Sequence, residues 1–260
     1  MSRISSIFAQ PGHKAFIAYV TVGYPSIEAT LSTVSLLAEN GCDMIELGIP
    51  FSDPIADGVT IQKASFHALK KGVTPERCLA VARKLKQQVS IPLTFMSYFN
   101  PILHYGQENF CNDCASSGID GLIIPDLPPD EGGELESLTQ KHNLDLIYLL
   151  SPASTEERIR LIAQRSRGFI YLVSVTGVTG ARNALPSDLE IFLRRVRKVS
   201  KLPLCVGFGI STPEQAGQIA TVADGVIIGS RIIQLMDSGE PNTAQQIQAF
   251  ARGVRRELDQ

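Results

Sequence analysis

The alternation of short apolar runs with helix-period segments constrains the fold of this sequence more than any other feature. Eight apolar runs are each followed by turn residues and then by a segment with helical periodicity. The predicted strands are 16–22, 44–47, 93–96, 121–124, 146–150, 169–173, 204–207 and 225–228. Eight strand–helix units in 260 residues are typical of a closed (β/α)8 barrel, so we predict an α/β fold with a single TIM-barrel catalytic domain over residues 1–260. A doubly wound open sheet is the main alternative.

Helix starts and stops support this alternation. Ser26, Thr74, Thr155 and Thr212 each precede a helix-period segment with proline or an acidic residue in its first turn. A hydroxyl at that position accepts a backbone N–H that the helix leaves unpaired, and the acidic residues suit the helix dipole. The widest gap between predicted strands follows the second one, and an additional helix around residues 61–70 fits there.

Composition excludes several classes of function. The formal net charge is -2 with no long basic run, so we expect neither a nucleic-acid partner nor binding to an anionic membrane. No stretch approaches the roughly 18–20 apolar residues of a membrane span, and the amino terminus does not resemble a targeting segment. Five cysteines without framework spacing favour a reducing compartment, and we expect a cytoplasmic protein. The Cys111–Cys114 pair lacks a second pair or a flanking histidine, so we expect no metal site.

The second predicted strand carries a carboxylate and runs into a loop that holds two more. Alternation places Glu46 on the side that faces a dry interior in a barrel of parallel strands. Burial without a partner favours the protonated carboxyl, which suits a general acid near neutral pH. Asp53 and Asp57 follow in a segment rich in proline and glycine and so predict a loop-borne second carboxylate. Asp53-Pro54 and Asp57-Gly58 are also ordinary turn dipeptides, so a purely structural loop stays open.

Two glycine clusters follow the last two predicted strands, at 207–211 and 229–231. Barrels often hold phosphate at these loops through backbone amides and a helix N-terminus, and a glycine lets the anion approach. Glycines after strands are also common as plain turns, but two clusters at these strands favour a phosphate site. The cluster 177–180 adds amides or a lid after the sixth strand. Arg231 either reaches the anion or is solvated on a helix surface.

With these elements in place, the chain resembles the tryptophan synthase alpha subunit family over nearly its whole length. The markers are the run 45–62, which contains Glu46 and Asp57, and the clusters 177–180, 207–211 and 229–230. The resemblance implies a carbon–carbon lyase of L-tryptophan biosynthesis. Such an enzyme cleaves indole-3-glycerol phosphate to indole and glyceraldehyde 3-phosphate by a retro-aldol step, without a metal or organic cofactor.

The resemblance also implies a role for each matching residue. Glu46 would protonate indole carbon 3 and handle the glycerol hydroxyl proton, Asp57 would interact with the indole nitrogen proton, and Tyr171 would orient Glu46. Breaking the bond requires carbon 3 to gain a proton while the nitrogen loses positive character, so one protonated and one ionised carboxyl fit. The phosphate would be held by Gly180, Gly209, Gly229 and Ser230. The indole pocket and lid would be formed by Tyr19, Tyr98, Leu149, Thr179 and Phe208. From the residues alone, Tyr171 is equally well explained as a core tyrosine, and the apolar positions as barrel filling.

Members of the family bind a beta subunit that carries pyridoxal phosphate, so the resemblance implies an alpha2beta2 complex. The loop from Asp53 to Asp57, with segments 100–101 and 128–129, matches the surfaces used there. Arg182 stands where family members often carry an acid, which leaves the lid contacts open. The close alternative is a free-standing indole-3-glycerol phosphate lyase that releases indole unaided. A barrel that serves only as a regulatory partner is the third possibility.

Overall fold

A single sheet of parallel strands forms the centre of the molecule. The computed structural model describes residues 1–173, 187–207, 209–237 and 242–260. Within these ranges the strands are β1 (Ala15–Thr21), β2 (Met44–Gly48), β3 (Leu93–Met96), β4 (Gly121–Ile123), β5 (Asp145–Ile147), β6 (Leu149–Leu150), β7 (Ile170–Val173), β8 (Leu204–Gly207) and β9 (Gly225–Ile228). Their order in the sheet is β5-β4-β3-β2-β1-β9-β8-β7-β6.

The two edge strands of this sheet, β5 and β6, are consecutive in the chain and are separated only by Tyr148. The Tyr148 carbonyl accepts the Tyr171 N–H at 3.1 Å, so the same segment contacts both edges and the sheet is nearly closed. The predicted (β/α)8 barrel is therefore confirmed. The fifth predicted strand is broken in two because the Tyr148 N–H donates to Oγ of Ser166, 3.1 Å away, instead of to a neighbouring strand.

Helices surround the barrel in the described ranges. They are α1 (Arg3–Ile7), α2 (Ile27–Glu39), α3 (Val59–Lys70), α4 (Pro75–Gln88), α5 (Phe99–Tyr105), α6 (Gln107–Ser116), α7 (Gly133–Lys141), α8 (Glu156–Arg165), α9 (Ser187–Arg197), α10 (Pro213–Ala220), α11 (Ser230–Asp237) and α12 (Thr243–Leu258), with a 3-10 turn at Pro129–Glu131. The additional helix predicted at 61–70 is α3, which lies between β2 and β3 in the chain.

The predicted caps open four of these helices. The hydroxyls of Ser26, Thr74, Thr155 and Thr212 each accept the backbone N–H of the residue three positions later. At Thr212 the Gln215 side chain in turn accepts the backbone N–H of Thr212, which completes a capping box. These local bonds make each helix begin directly behind a strand or loop, which fixes where the loops at the carboxyl ends of the strands lie.

The amino-terminal end of the barrel is covered by α1. Ile4 of this helix is fully buried. A Cβ atom at Gly121 would lie 2.8 Å from Cδ1 of Ile4, so the helix packs directly on the start of β4. With this end covered, the loops at the opposite end are the ones available for a functional site.

Two of the predictions from the sequence concern membrane spans and metal sites. No helix in the described part of the chain has the length and apolarity that crossing a membrane requires. All five cysteines are free and buried. Among the described residues, no group of three or more His, Cys, Asp or Glu side chains is arranged to hold a metal ion.

Candidate active site

A cavity of about 310 Å³ lies at the carboxyl ends of the strands. Seven of the residues singled out from the sequence line it, namely Tyr19, Asp57, Tyr171, Gly209, Gly229, Ser230 and Arg231. The remaining lining residues are Ile61, Met96, Ile210, Ser211, Ile227 and Gln234. Glu46 is paired with Tyr19 in the register of β1 and β2. The structure thus brings the predicted acid, the loop carboxylate and the glycine clusters to one place.

Glu46 is a carboxyl in a dry environment. Its exposed fraction is 0%, and neither Oε1 nor Oε2 has a hydrogen-bond partner among the described residues. Burial raises the pKa of Glu46 to about 8, because the charged form loses its hydration without gaining a compensating contact. At neutral pH the side chain is therefore mostly protonated; Glu46 itself does not line the cavity but lies beside Tyr19, which does.

Asp57 is held by the loop between β2 and α3. The Tyr98 hydroxyl accepts the Ala56 N–H at 2.9 Å, and a hydrogen bond from the same hydroxyl reaches the Asp57 carboxylate. The Gln62 side chain donates to the Asp57 carbonyl at 2.8 Å. We call these three contacts the Tyr98 latch. They fix Asp57 although the neighbouring residues Ile55 and Ala56 are exposed.

The ionisation of Asp57 differs from that of Glu46. Burial raises the pKa of Asp57 to about 6, and the Tyr98 hydrogen bond opposes this rise. Oδ1 of Asp57 is buried and has no partner among the described residues. Asp57 is therefore mostly ionised at neutral pH and has one oxygen ready to accept a proton or an N–H group.

Two tyrosines flank the carboxyl pair, and each lies against a glycine of the next strand. A Cβ atom at Gly48 would lie 2.1 Å from the Tyr19 hydroxyl oxygen, and one at Gly207 would lie 2.4 Å from that of Tyr171. The Tyr19 hydroxyl also hydrogen-bonds Oγ1 of Thr21 at 3.3 Å. Burial, followed by the charges of Glu46 and Asp57, raises the pKa of Tyr171 well above its usual range, so both phenols stay protonated.

The glycine clusters form the other end of the cavity. Gly209 has a φ of +81°, a backbone conformation that other residues rarely adopt. Gly229 directly precedes α11, which begins at Ser230, so backbone N–H groups at the start of this helix border the cavity. A Cβ atom at Gly229 would lie 3.2 Å from Tyr19. This end suits an anion because Gly209 and Gly229 have no side chain to keep an anion away from the backbone N–H groups of these loops.

Of the other predicted site residues, two lie in the described ranges and three do not. Tyr98 contacts Asp57, as described, and stacks on Phe51 with ring centroids 5.2 Å apart. Leu149 neighbours Tyr171 in the strand register but lines an adjacent cavity together with Tyr148 and Arg158. Thr179, Gly180 and Phe208 lie outside the described residues, as does Arg182. Their roles, like those of the other site residues, stay predictions.

Sequence reasoning missed several lining residues. Ile61 comes from α3, the additional helix, and its apolar character gave no sign of a site. Gln234 lies three residues after Arg231 on α11, so helical spacing from the second glycine cluster would have found it. Met96 is the last residue of β3 and Ile227 the penultimate residue of β9, and both are indistinguishable from core residues by sequence.

A barrel that holds one buried carboxyl with a pKa of about 8 and one half-buried carboxyl with a pKa of about 6 defines a class, the TIM-barrel enzymes that work by acid–base chemistry. Within it the chain belongs to the tryptophan synthase alpha chain family, whose model matches residues 6–259. The tryptophan synthase alpha chain of Dehalococcoides mccartyi is 58% identical over 259 residues, which cover 100% of both chains.

Solved structures agree with this assignment. The tryptophan synthase alpha chain from Legionella pneumophila is 35% identical, with a TM-score of 0.91 over 100% of this chain and 98% of that one. Tryptophan synthase from M. tuberculosis, in its open form with BRD0059 bound, gives a TM-score of 0.90 at 35% identity over 99% of each chain. The family resemblance and the barrel are thereby confirmed.

Proposed function

We propose that this chain is the alpha component of tryptophan synthase and cleaves indole-3-glycerol phosphate to indole and glyceraldehyde 3-phosphate. Family membership supports the reaction, and the observation that carries the mechanism is the pair of carboxyls with pKa values of about 8 and about 6. At pH 7 one carboxyl holds a proton and the other does not. A retro-aldol step on an indole needs this combination.

The substrate fits the cavity in one direction. The phosphate lies at Gly209, Gly229 and Ser230, where backbone N–H groups and the helix dipole stabilise an anion. The indole ring then lies toward Tyr19 and Asp57, with its N–H directed at the unpartnered Oδ1 of Asp57. This orientation places the glycerol carbons between the two ends and next to Glu46.

The protons and electrons of the reaction balance without any other group. Glu46 gives its proton to indole carbon 3, and positive charge develops on the indole nitrogen, where Asp57 stabilises it. Glu46, now ionised, takes the proton of the glycerol hydroxyl. The O–H electrons form the aldehyde C=O, and the electrons of the broken carbon–carbon bond restore the aromatic ring. Glu46 ends protonated, ready for another turnover.

Tyr171 acts here as a positioning residue. It is buried beside Glu46, and its ring lies against Gly207, which restricts its movement. Because all proton transfers run between the substrate and the two carboxyls, we propose that the chain uses neither a metal nor an organic cofactor. Pyridoxal phosphate belongs to the beta subunit in this proposal.

The segments that follow β2 and β3 carry exposed apolar side chains that suit a protein partner. Ile55 is 84% exposed, Val59 68% and Leu103 52%. They belong to the loop that holds Asp57, to α3 and to α5, which begins just after β3. We propose that a beta subunit covers this surface in an alpha2beta2 complex and receives indole there. Covering the loop would further order Asp57 and raise the rate.

Indole release from indole-3-glycerol phosphate, titrated with the beta subunit from the same source, tests this proposal. We expect slow release that rises about tenfold or more with the partner, as coupling of typical strength allows. Leu103→Ser should weaken this activation but keep the basal rate, whereas Ile191→Ser, at a residue 57% exposed on α9, should change neither.

The Tyr98 latch favours one alternative outcome, because it holds Asp57 in the isolated chain. Fast release that ignores the beta subunit would identify a free-standing lyase. Binding of substrate with no product, with or without the partner, would contradict both enzymatic functions.

A further inference from the structure

The charges of the cavity are unfavourable for a phosphate ester unless a cation is present. Among the described residues that line it, Asp57 is the only acidic one and Arg231 the only basic one. A phosphate ester adds nearly two negative charges to a site that already contains an ionised carboxylate. The start of α11 offers about half a positive charge through its dipole, which is too little to balance them.

Arg231 lies on the face of α11 that is turned to the cavity. Arg231 and Gln234 are three residues apart, so they share one side of the helix, and both line the cavity. The opposite side of α11 is packed into the protein through Ile232, Ile233 and Met236. Arg231 itself is half-buried, so its charge is less screened than that of a fully exposed arginine.

The guanidinium of Arg231 has no acidic partner in the part of the chain that the structure describes. It forms no ion pair with any residue in the described ranges. Asp237, the acid at the end of the same helix, accepts a hydrogen bond from the Tyr24 hydroxyl. Arg231 is therefore a cation at the edge of the end of the cavity that suits an anion, and no carboxylate of the described residues neutralises it.

We propose that Arg231 is a specificity-determining residue that binds the phosphate of the substrate from the helix side. The backbone N–H groups near Gly209 and Gly229 contact the phosphate from the strand side. The planar guanidinium matches two phosphate oxygens and adds a full charge, so it favours a phosphate ester over a neutral glycerol analogue. This inference rests on the proposed function for the identity of the ester, but not for the binding of an anion.

Two substitutions at this position separate charge from shape. Arg231→Gln removes the charge, and Arg231→Lys keeps it. Arg256→Gln is the matched control, at an arginine of α12 whose side chain is 75% exposed and does not line the cavity. We measure the Kd of glycerol 3-phosphate by calorimetry at low and high salt, and kcat and KM with indole-3-glycerol phosphate.

We expect Arg231→Gln to raise the Kd and the KM about tenfold and to leave kcat within about twofold, since it removes one charged hydrogen-bonding group from binding but not from the reaction. The salt dependence of the Kd should become weaker in this variant. Arg231→Lys should recover most of the loss, and Arg256→Gln should match the unaltered chain.

An unchanged Kd in Arg231→Gln at low salt would overturn the inference, and so would a fall in kcat with no change in Kd or KM. The two proposals fail separately. If the unaltered chain binds glycerol 3-phosphate through Arg231 but releases no indole, the proposed function is wrong and the inference stands. If it releases indole and Arg231→Gln binds normally, the inference alone is wrong.

Discussion

Strand β2 in the barrel wall and the loop that follows it each supply one carboxyl, and the pKa of each carboxyl has a different cause. Glu46 belongs to β2, has an exposed fraction of 0% and has no hydrogen-bond partner among the described residues. Asp57 belongs to a loop with exposed neighbours and is held by the Tyr98 latch. Burial in the barrel wall thus keeps Glu46 protonated, while the hydrogen bond from Tyr98 helps to keep the partly buried Asp57 ionised.

The protonated and the ionised carboxyl therefore depend on different parts of the structure, and each can be altered without the other. The acid depends on the packing of the barrel, which the whole fold maintains. The anion depends on a few contacts that a single substitution removes or a partner protein strengthens. Changes to the wall should therefore alter both stability and the chemical step, and changes to the latch mainly the fraction of molecules that are ready to react.

Removing either carboxyl is the largest change we expect. Glu46→Gln and Asp57→Asn should each lower kcat by about 10²–10⁴-fold, the usual contribution of a positioned acid or base. Glu46→Gln should leave the binding of glycerol 3-phosphate within about twofold, and Asp57→Asn should not weaken it, because neither group contacts the phosphate in our proposal and Asp57 only adds negative charge to the cavity. Steady-state kinetics and calorimetry check both statements.

Asp53→Asn is the matched control for the loop, since Asp53 is exposed and does not line the cavity. It should keep nearly full activity in the isolated chain. Activity above a tenth of the original in either carboxyl variant would contradict the assigned roles.

The raised pKa of Glu46 should also make the free energy of unfolding fall as the pH rises. The unfolded chain releases the Glu46 proton at about pH 4.3, the ordinary glutamate pKa, and the folded chain releases it at about pH 8. Between these values the folded state binds more protons, so its free energy of unfolding falls with rising pH. The separation sets an upper limit of about 5 kcal/mol for this loss.

Glu46→Gln should remove this loss, so its stability relative to the unaltered chain should grow from pH 4 to pH 8 and then level off. Urea unfolding at several pH values measures the difference. Glu134→Gln, at an exposed position of α7, should show no such growth. An equal pH dependence of Glu46→Gln and the unaltered chain would mean that Glu46 ionises freely in the folded state.

The pH dependence of kcat/KM should show both carboxyls. The rate constant should fall below about pH 6, where Asp57 gains a proton, and above about pH 8, where Glu46 loses one. Far from the optimum each limb should change by about tenfold per pH unit, as titration of a single essential group requires. A profile that stays flat from pH 5 to pH 9 would exclude this pair as the acid and the base.

The latch should give the smallest effect. Tyr98→Phe removes the hydroxyl that holds Ala56 and Asp57 but keeps the ring that stacks on Phe51. We expect kcat/KM of the isolated chain to fall about tenfold, the value of one hydrogen bond to a charged group. Saturating beta subunit should restore most of the rate if it orders the same loop.

Tyr105→Phe is the control, because the Tyr105 hydroxyl donates to Asp113 and lies outside the cavity lining. An equal loss in both variants would indicate a general effect on folding rather than the loss of the latch.

The sequence predicted the barrel because its elements are set by local chemistry. The strands are short apolar runs, and hydroxyl caps such as Ser26 and Thr212 mark helix starts through bonds that span three residues. The break of the fifth strand was not predictable in this way. It depends on Ser166, which is distant in sequence and reaches the Tyr148 N–H only after the chain has folded. The short helix α1 was missed because its single buried side chain, Ile4, gives no periodic pattern.

The candidate site shows the same division. Alternation along one strand indicated a buried Glu46, and the structure places it in a fully buried position. The Tyr98 latch joins β2's loop to the end of β3, and no pattern within either segment predicts a bond between them. The pKa of Asp57 depends on this bond and on burial by neighbouring loops, so it follows from the folded structure alone.

The contacts between phenols and glycines also restrict how this protein can change by mutation. The space beside Gly48 is filled by the Tyr19 hydroxyl, and the space beside Gly207 by that of Tyr171. A larger residue at either glycine is therefore acceptable only if the facing tyrosine is shortened or turned away. Each glycine and tyrosine form an epistatic pair, and a library that varies single positions would score the glycines as immutable. Varying both members of a pair together is the route by which the part of the cavity lined by Tyr19 and Tyr171 can be reshaped for a bulkier ligand.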